Sequence, residues 1–335
     1  MKKAIFLSLT LSLTLATLLI VKNQKDSSQT QKTDPLPVVA ITQIVEHPAL
    51  DAERNGIIQS LKDAGFEENK NIKIIYKNAQ GNIATATQIA QNLVAERPKV
   101  MVAISTPSAQ SCLKICQEKG IPIVFGAVSD PIEAKIIKTL QTRDENIVGV
   151  SDAVPISLRL QFIKNLIPGL KNLGVIYNPG EANSSNITKL LKIEAEKHQI
   201  QIIEATANKT SEVDGAMRSL TGKIQALYIP DDNTAASSIA SIVKIGEQSQ
   251  IPVFSCDTSL MDSGLVATYG YSHFALGKIA GNMVVKILKG SLAGQIPVPT
   301  DIPAELIINA EAAKRTGVEL SNHLHNEARF YKKAE

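Results

Sequence analysis

Short apolar runs alternate with amphipathic stretches along most of the chain. From Pro37 onward, strands are predicted at VVAIT (38–42), IKIIY (72–76), VMVAIS (100–105) and IPIVFGAV (121–128), and a helix is predicted after each, the last at 131–140. Apolar runs of this length, separated by helices with one apolar face, are typical of βαβ units in a parallel sheet. The first half of the chain is therefore predicted to form a parallel α/β sheet.

The same alternation starts again after Gly149. Strands are predicted at NLGVIYNP (172–179), IQIIEA (200–205), QALYIPD (225–231) and IPVFSCD (251–257), and each leads into a helix. Residues 265–290 then predict a strand, a short loop and a long helix, and residues 296–310 predict an extended segment and one more strand. Because a strand and a helix are left over after the second block, we expect the chain to return to the first lobe.

These patterns predict an α/β protein of two doubly wound parallel-sheet lobes. Lobe 1 is expected to contain 35–152 and 271–297, and lobe 2 to contain 153–270 and 298–318, with 319–335 as a polar tail. The chain then crosses between the lobes three times. Three crossing strands form a hinge, with a cleft beneath it.

Residues 1–34 have the layout of an export segment. Lys2 and Lys3 precede the uncharged, leucine-rich stretch 4–21, and Lys22 closes it. The stretch approaches the length of the shortest membrane-spanning helices, about 17 residues. It lacks a small-x-small cleavage motif at its end and a cysteine near its end for a lipid anchor. We therefore expect an extracytoplasmic protein whose signal is either cleaved or kept as a membrane anchor.

Composition excludes several classes of protein. A chain of 335 residues with 44% apolar and 20% charged residues is typical of a globular protein. The net charge of +3 comes entirely from 1–34, so the remainder is neutral and a nucleic-acid partner is not expected. Cys112, Cys116 and Cys256 do not have metal-ligand spacing and are predicted to be buried thiols. No metal or cofactor is expected.

Polar residues follow the predicted strands in both lobes. In open parallel sheets, the carboxyl ends of the strands face the ligand crevice, so these residues are candidates for a binding site. Ser, Asp and Asn before a helix are also ordinary N-caps, and capping is the alternative at each single position. The candidates are Thr42, Gln43, Glu46, Ser105, Thr106, Ser129, Asp130, Asn178, Asp231, Asp232, Asn233, Ser255, Asp257 and Tyr271.

Seven segments resemble a known family. They are ITQIVEHPALDAERNGIIQSLKDAGF (41–66), STPSAQ (105–110), IPIVFGAVSDP (121–131), NIVGVSDAVP (146–155), LGVIYNPGEANS (173–184), LYIPDDNTAAS (227–237) and LVATYGY (265–271). Taken in this order over about 37–318, they are similar to the ABC-transporter substrate-binding family that includes tryptophan and other aromatic amino-acid binding proteins. The resemblance implies a type I periplasmic-binding-protein clamshell. Such a clamshell delivers a solute to a permease driven by a cytoplasmic ATPase.

The resemblance implies an amino-acid ligand, whose two charged groups need separate partners. Ser105 and Thr106, at the start of a helix opened by Pro107, are expected to bind the carboxylate, with help from Ser129. The ammonium needs a carboxylate. Asp257 is the first candidate for it and Asp232 is the second.

The remaining candidates are given supporting roles. Asn178 and Asn233 would orient the charged groups or bond the ligand, and Gln43 with Glu46 would close the site from the other lobe. Tyr271 either forms a wall of the side-chain pocket or packs against the hinge. Two other functions stay open: a ligand-sensing ectodomain partner of a signalling receptor, and an α/β hydrolase. The hydrolase is disfavoured because the chain has no nucleophile elbow, P-loop or GxGxxG motif in a strand-loop-helix context.

Overall fold

The computed structural model describes residues 35–140, 146–299, 302–321, 324 and 328–332. The predicted export segment lies outside this part of the chain. Among the described residues, no helix combines the length and apolar character needed to cross a membrane. Pro37–Glu335 form one compact unit.

Five parallel strands form the sheet of lobe 1. They are β1 (Val38–Gln43), β2 (Lys73–Asn78), β3 (Val100–Ile104), β4 (Ile123–Val128) and β5 (Ile147–Ser151). Their order across the sheet is β2-β1-β3-β4-β5, the doubly wound order. Alternate side chains of each strand enter separate apolar clusters, as Val102 and Ala103 do. Burial on both faces explains why these strands read as nearly unbroken apolar runs.

The sheet of lobe 2 repeats this order and extends it. Its strands are β6 (Asn172–Tyr177), β7 (Gln201–Thr206), β8 (Ala226–Ile229), β9 (Val253–Asp257), β10 (Ala267–Tyr271), β11 (Glu305–Ile308) and β12 (Arg329–Phe330). The order β12-β11-β10-β9-β8-β6-β7 contains the lobe 1 pattern, followed by two added strands. β11 runs antiparallel to β10 and β12 runs parallel to β11, so these two added strands depart from the parallel sheet predicted for this lobe.

Helices cover the faces of both sheets. In chain order they are α1 (Pro48–Asp63), α2 (Ile83–Ala95), α3 (Thr106–Lys119), α4 (Ile156–Leu166), α5 (Ala182–Lys197), α6 (Val213–Leu220), α7 (Asn233–Ala236), α8 (Ile239–Gln248), α9 (His273–Leu288) and α10 (Ala310–Arg315). Short 3-10 turns lie at Thr210–Glu212, Thr258–Ser263 and Ala293–Gln295. The alternating α/β architecture with two sheet lobes confirms the predicted fold class.

Helix α9 follows the last parallel strand of lobe 2 but packs against α1 of lobe 1. The two helices approach closely because glycines face the contact. A Cβ on Gly56 would lie 2.2 Å from the Phe274 carbonyl oxygen, and one on Gly277 would lie 2.1 Å from the Glu53 carbonyl oxygen. The hydroxyl of Ser60 donates to the carbonyl of Lys278 at 2.9 Å. This contact fixes the start of α9 beside the middle of α1.

The structure differs from the predicted elements in three places. Residues 131–140 form turns and no helix, and Lys135 there has a left-handed backbone with φ 58° that an α-helix cannot contain. Strand β5 and helix α4 were not predicted as elements. Within the segment expected to be a polar tail, Arg329–Phe330 pair with β11. The predicted lobe limits stay predictions.

Candidate functional site

A cavity lies between the two sheets, where the carboxyl ends of strands from both lobes face each other. Its empty space is about 420 Å³ with its opening to solvent included. It is lined by His47, Ala49, Leu50, Ala127, Ser129, Asp152, Asn183, Ile229, Asp231, Asp232, Asn233, Ala236, Ser255, Asp257, Leu260 and His273. Six of the candidates from the sequence are among them: Ser129, Asp231, Asp232, Asn233, Ser255 and Asp257.

Two hydrogen bonds cross the cavity from lobe 1 to lobe 2. His47, which precedes α1, places Nε2 at 3.3 Å from Asn233 Oδ1. Ser129, which follows β4, donates its hydroxyl to Asp231 Oδ2, also at 3.3 Å. Side chains of the two lobes therefore touch directly, and the cleft is closed around the cavity.

A buried histidine carries positive charge at the cavity wall. His273 is the first residue of α9, and its Nδ1 donates to Glu53 Oε2 of α1 at 2.9 Å. Its Nε2 lies 3.8 Å from Asp257 and 4.0 Å from Asp152. Burial alone would lower the pKa of His273, but Asp257, Glu53 and Asp152 outweigh it and raise the pKa to about 10. The ring is therefore an imidazolium at neutral pH.

Asp152 leaves one carboxylate oxygen unpaired. It follows β5 directly, at the first crossing between the lobes, and its side chain is 11% exposed. Its Oδ1 is buried and has no hydrogen-bond partner. Burial, and then the nearby charge of Asp231, raise the pKa of Asp152 to about 7, against the opposing effect of His273. An unpaired buried oxygen of this kind needs a donor, and an occupant of the cavity can supply it.

Arg159 neutralises the neighbouring Asp231 from within lobe 2. The guanidinium is fully buried and donates from Nη1 to Asp231 Oδ2 at 2.7 Å and to the hydroxyl of Tyr228 at 2.9 Å. Its Nε donates to the carbonyl of Val154, in the crossing that follows β5. The arginine thus ties the floor of the cavity to the hinge.

Asp232 has a structural role in this arrangement. Its two oxygens accept the backbone N–H groups of Asn178 and Ala235, each at 2.7 Å. Burial and the nearby Glu181 raise the pKa of Asp232 to about 8. Glu181 in turn accepts from the backbone N–H and the side chain of Asn233. Both oxygens of Asp232 therefore hold backbone groups of lobe 2 in place.

Several other candidates are satisfied away from the cavity. Gln43 bonds Asp51 and Arg54, and Glu46 is exposed and accepts from the hydroxyl of Tyr76 at 3.1 Å. Asp130 accepts from the N–H groups of two following residues, as a capping residue does.

The remaining candidates lie near the strand ends without lining the cavity. Ser105 accepts from the N–H of Ser108 and adopts φ 97°, a backbone region that is strained for any residue other than glycine. Thr42 and Thr106 are buried, and their hydroxyls have no partner. Tyr271 donates its hydroxyl to the carbonyl of Ala153, in the hinge. The side chain of Asn178 donates to the hydroxyl of Thr234 and accepts from the backbone N–H of Gly180.

Sequence reasoning missed residues that the structure brings to the cavity. Asp152 follows a strand that was not predicted, so the rule of inspecting strand ends did not reach it. Asn183 and His273 lie on helices, and no local signal marks them. His47 precedes Pro48 at the start of α1, and that position was its only signal. The three cysteines are buried and free, and no group of metal-ligating residues was found among the described residues.

The family model described as ABC transporter substrate binding protein matches residues 38–332. The chain belongs to this family. The family consists of solute-binding proteins and not of enzymes, which removes the hydrolase alternative. Substrate-binding proteins of ABC transporters act outside the cytoplasm.

Relatives with known names or structures agree with this membership. The chain is 38% identical over 293 residues to a tyrosine-binding protein of Clostridioides difficile, covering 88% of this chain and 83% of the relative. It is 40% identical to a conserved domain protein from Vibrio cholerae, whose crystal structure superposes with a TM-score of 0.85 over 89% of this chain and 100% of that one.

Two further structures bear on the state of the cleft. The ABC domain from Streptococcus pneumoniae in complex with L-Trp is 28% identical and superposes with a TM-score of 0.82, over 88% of this chain and 99% of that one. A ligand-free, open substrate-binding protein from Clostridium difficile is 36% identical, yet its TM-score is 0.64, over 89% and 100%. The lower score despite the higher identity agrees with the closed cleft described above.

Proposed function

We propose that this protein is the solute-binding component of an ABC importer and that it captures an aromatic amino acid between its lobes. The bound molecule would be tryptophan, tyrosine or phenylalanine. The protein would then present it to a permease driven by a cytoplasmic ATPase.

The composition of the cavity wall is the observation that carries the proposal. Leu50, Ile229 and Leu260 supply apolar surface from both lobes, and an aromatic side chain can bury against it. The unpaired oxygen of Asp152 supplies an acceptor in the same cavity. Apolar walls with a few convergent polar groups are typical of small-molecule sites, and this combination suits a zwitterion with an apolar side chain.

The relatives support an aromatic ligand. One is named a tyrosine-binding protein, and another was crystallised with L-Trp. Both align over nearly nine-tenths of this chain. Of the residues predicted from sequence, we propose that Ser129, Asn233 and Asp257 contact the ligand, because all three line the cavity.

The absence of tryptophan from this chain makes the test direct. Under excitation selective for indole, all emission comes from added L-tryptophan, which should shift to shorter wavelength and gain polarisation when it enters the apolar cavity. Tyrosine and phenylalanine are then tested by displacement and by calorimetry, with leucine and glutamine as controls. The proposal fails if none of the three aromatic amino acids binds more tightly than both controls.

Location and partnership need separate experiments. A reporter enzyme that is active only after export, fused after Ala40, should be active. An uncleaved anchor predicts that the native protein stays in the membrane fraction with the intact mass of the full chain. Reconstitution with the permease and ATPase should give ligand uptake that depends on ATP and on this protein, and uptake independent of this protein would contradict the partnership.

A further inference from the structure

We propose that Asp152 is the acceptor for the ligand ammonium group, and that the cavity therefore selects ligands carrying a primary amine. This assignment rests on the proposed function and deepens it. It differs from the sequence-based expectation, which favours Asp257 for the same role.

The unsatisfied atoms of the cavity wall are all acceptors. Three residues that line the cavity each have a buried side-chain atom without a hydrogen-bond partner: His47 Nδ1, Asp152 Oδ1 and Asn183 Oδ1. Asn183 uses its amide nitrogen on the carbonyl of Asp231 at 2.7 Å, which leaves its oxygen as the unpaired group. The cavity wall also holds a cationic donor, His273 Nε2, which faces the carboxylates of Asp257 and Asp152 at 3.8 and 4.0 Å.

The bonds around His47 settle its tautomer. Asn233 donates its amide nitrogen to Glu181, so its oxygen faces His47 and must accept. The Nε2 of His47 therefore carries the proton. Burial lowers the pKa of His47, which keeps the ring neutral and leaves Nδ1 as a bare acceptor.

A wall of unpaired acceptors selects a cationic donor. An ammonium group has three N–H donors and no acceptor, whereas a carboxylate has acceptors alone. Placing the ligand carboxylate beside these atoms would oppose acceptor to acceptor and add negative charge next to Asp152. The cationic end of a zwitterion therefore belongs at this part of the cavity.

Charge balance around His273 points the same way. One imidazolium faces three carboxylates: Glu53 at 2.9 Å, Asp257 at 3.8 Å and Asp152 at 4.0 Å. The described cluster thus holds more negative than positive charge, and the neighbouring Asp231 is already paired with Arg159. An ammonium group would bring the compensating charge.

Asp152 is better placed than Asp257 to receive that charge. Asp257 Oδ1 accepts the backbone N–H of Ser259 at 2.8 Å and so holds the start of the turn Thr258–Ser263. Asp152 has no such bond on Oδ1, which is buried and unpaired. Asp152 also lies on a crossing between the lobes, so a ligand held there would sit beside the hinge.

The test compares Asp152→Asn with Asp257→Asn, the competing candidate for the same role, because both changes keep the side-chain shape and remove the charge. Tryptophan, tryptamine and indole-3-propionate are titrated into the native protein and both variants. Tryptamine keeps the amine without the carboxylate, and indole-3-propionate keeps the carboxylate without the amine. Melting curves report whether each variant folds.

We expect Asp152→Asn to lower the affinity for tryptophan and for tryptamine by about thirtyfold or more. Asp257→Asn should weaken the binding of both ligands by a smaller factor than Asp152→Asn does. Indole-3-propionate should bind Asp152→Asn no more weakly than it binds the native protein, an outcome that a merely structural role for Asp152 would not produce.

Other outcomes separate the two proposals. Tryptophan affinity within about threefold of native in Asp152→Asn, or a larger loss in Asp257→Asn, overturns the assignment. If the native protein binds none of the aromatic amino acids, the proposed function fails. The titration with tryptamine then still tests the assignment. Tryptamine binding to the native protein that is lost in Asp152→Asn would support a primary-amine site. If tryptamine does not bind the native protein, the assignment is overturned.

Discussion

Replacing Gly277 by alanine should destabilise the protein, because α9 and α1 are in backbone contact at this point. The added Cβ would lie 2.1 Å from the carbonyl oxygen of Glu53 and 2.9 Å from its Cα. Ordinary contacts begin at 3.4 Å, so the helices must separate by more than 1 Å. The obstructing atoms are backbone, and no rotamer change can move them aside.

Two opposing terms set the magnitude. Overpacking in a filled core costs about 1–3 kcal/mol, and a contact with backbone belongs near the upper end. Alanine recovers about 1 kcal/mol through its higher helix propensity. The expected net loss is about 2 kcal/mol in the free energy of unfolding. Leu276 and Ala280, buried on the same helix, would lose contacts as it moves.

Urea unfolding followed by circular dichroism measures this change, and Gly215→Ala is the matched control. Gly215 lies inside α6, and a Cβ there would meet nothing within 4 Å. The control should stabilise the protein by about 0.5–1 kcal/mol through the unfolded state and helix propensity. If Gly277→Ala shifts stability in the same direction as Gly215→Ala, the close contact of α1 with α9 has been misjudged.

Three further predictions concern the charged groups and the cleft. The pKa of His273 is raised from 6.5 to about 10. The contribution of the charged His273 ring to stability is therefore complete below about pH 6.5 and is lost as pH rises through about 10. Denaturant titrations across this pH range should show the decline in the free energy of unfolding, and His273→Gln should flatten it. Arg159→Met leaves Asp231 as a buried charge without its cation and should cost about 3–5 kcal/mol of unfolding free energy. The double variant Arg159→Met with Asp231→Asn should recover most of that loss. No recovery would mean that Arg159 stabilises the protein through its other hydrogen bonds. Ser129→Ala removes the hydrogen bond from Ser129 to Asp231 between the lobes. It should weaken ligand binding about twofold to tenfold in calorimetry, with an unchanged melting temperature. An unchanged affinity would show that this hydrogen bond does not favour the closed cleft.

The alternation of apolar runs and helical stretches in the sequence predicted most of the fold. Strands such as Val38–Gln43 and Val253–Asp257 are buried on both faces, so their sequence signal is strong and short-ranged. The segment 131–140 was wrongly predicted to be a helix, because its composition suits a helix while its backbone turns left-handed at Lys135. Neither this backbone angle nor the antiparallel direction of Glu305–Ile308 is marked in the sequence.

The candidate site was harder to predict because its key groups meet only in the folded chain. Glu53 and His273 lie on separate helices, and the packing of α1 on α9 brings them within 2.9 Å. Asp232 and Gln43 have the residue types and positions expected of ligand contacts, yet backbone and neighbouring side-chain groups occupy them. The sequence alone does not show whether a polar residue after a strand caps a helix or contacts a ligand, because that depends on which hydrogen bonds the residue makes in the folded protein.

The return of the chain to lobe 1 constrains the order in which the protein can fold. Helix α9 is made after nearly all of the second sheet, and until then α1 has no partner for its glycine-lined face and no imidazolium beside Glu53. Lobe 1 therefore cannot mature as an independent unit while the chain is still growing, although domains generally fold as units from the N-terminus. Its completion depends on contacts distant in sequence, which slow folding. A chain interrupted before Leu288 would leave lobe 1 incomplete, with an uncompensated carboxylate at its centre.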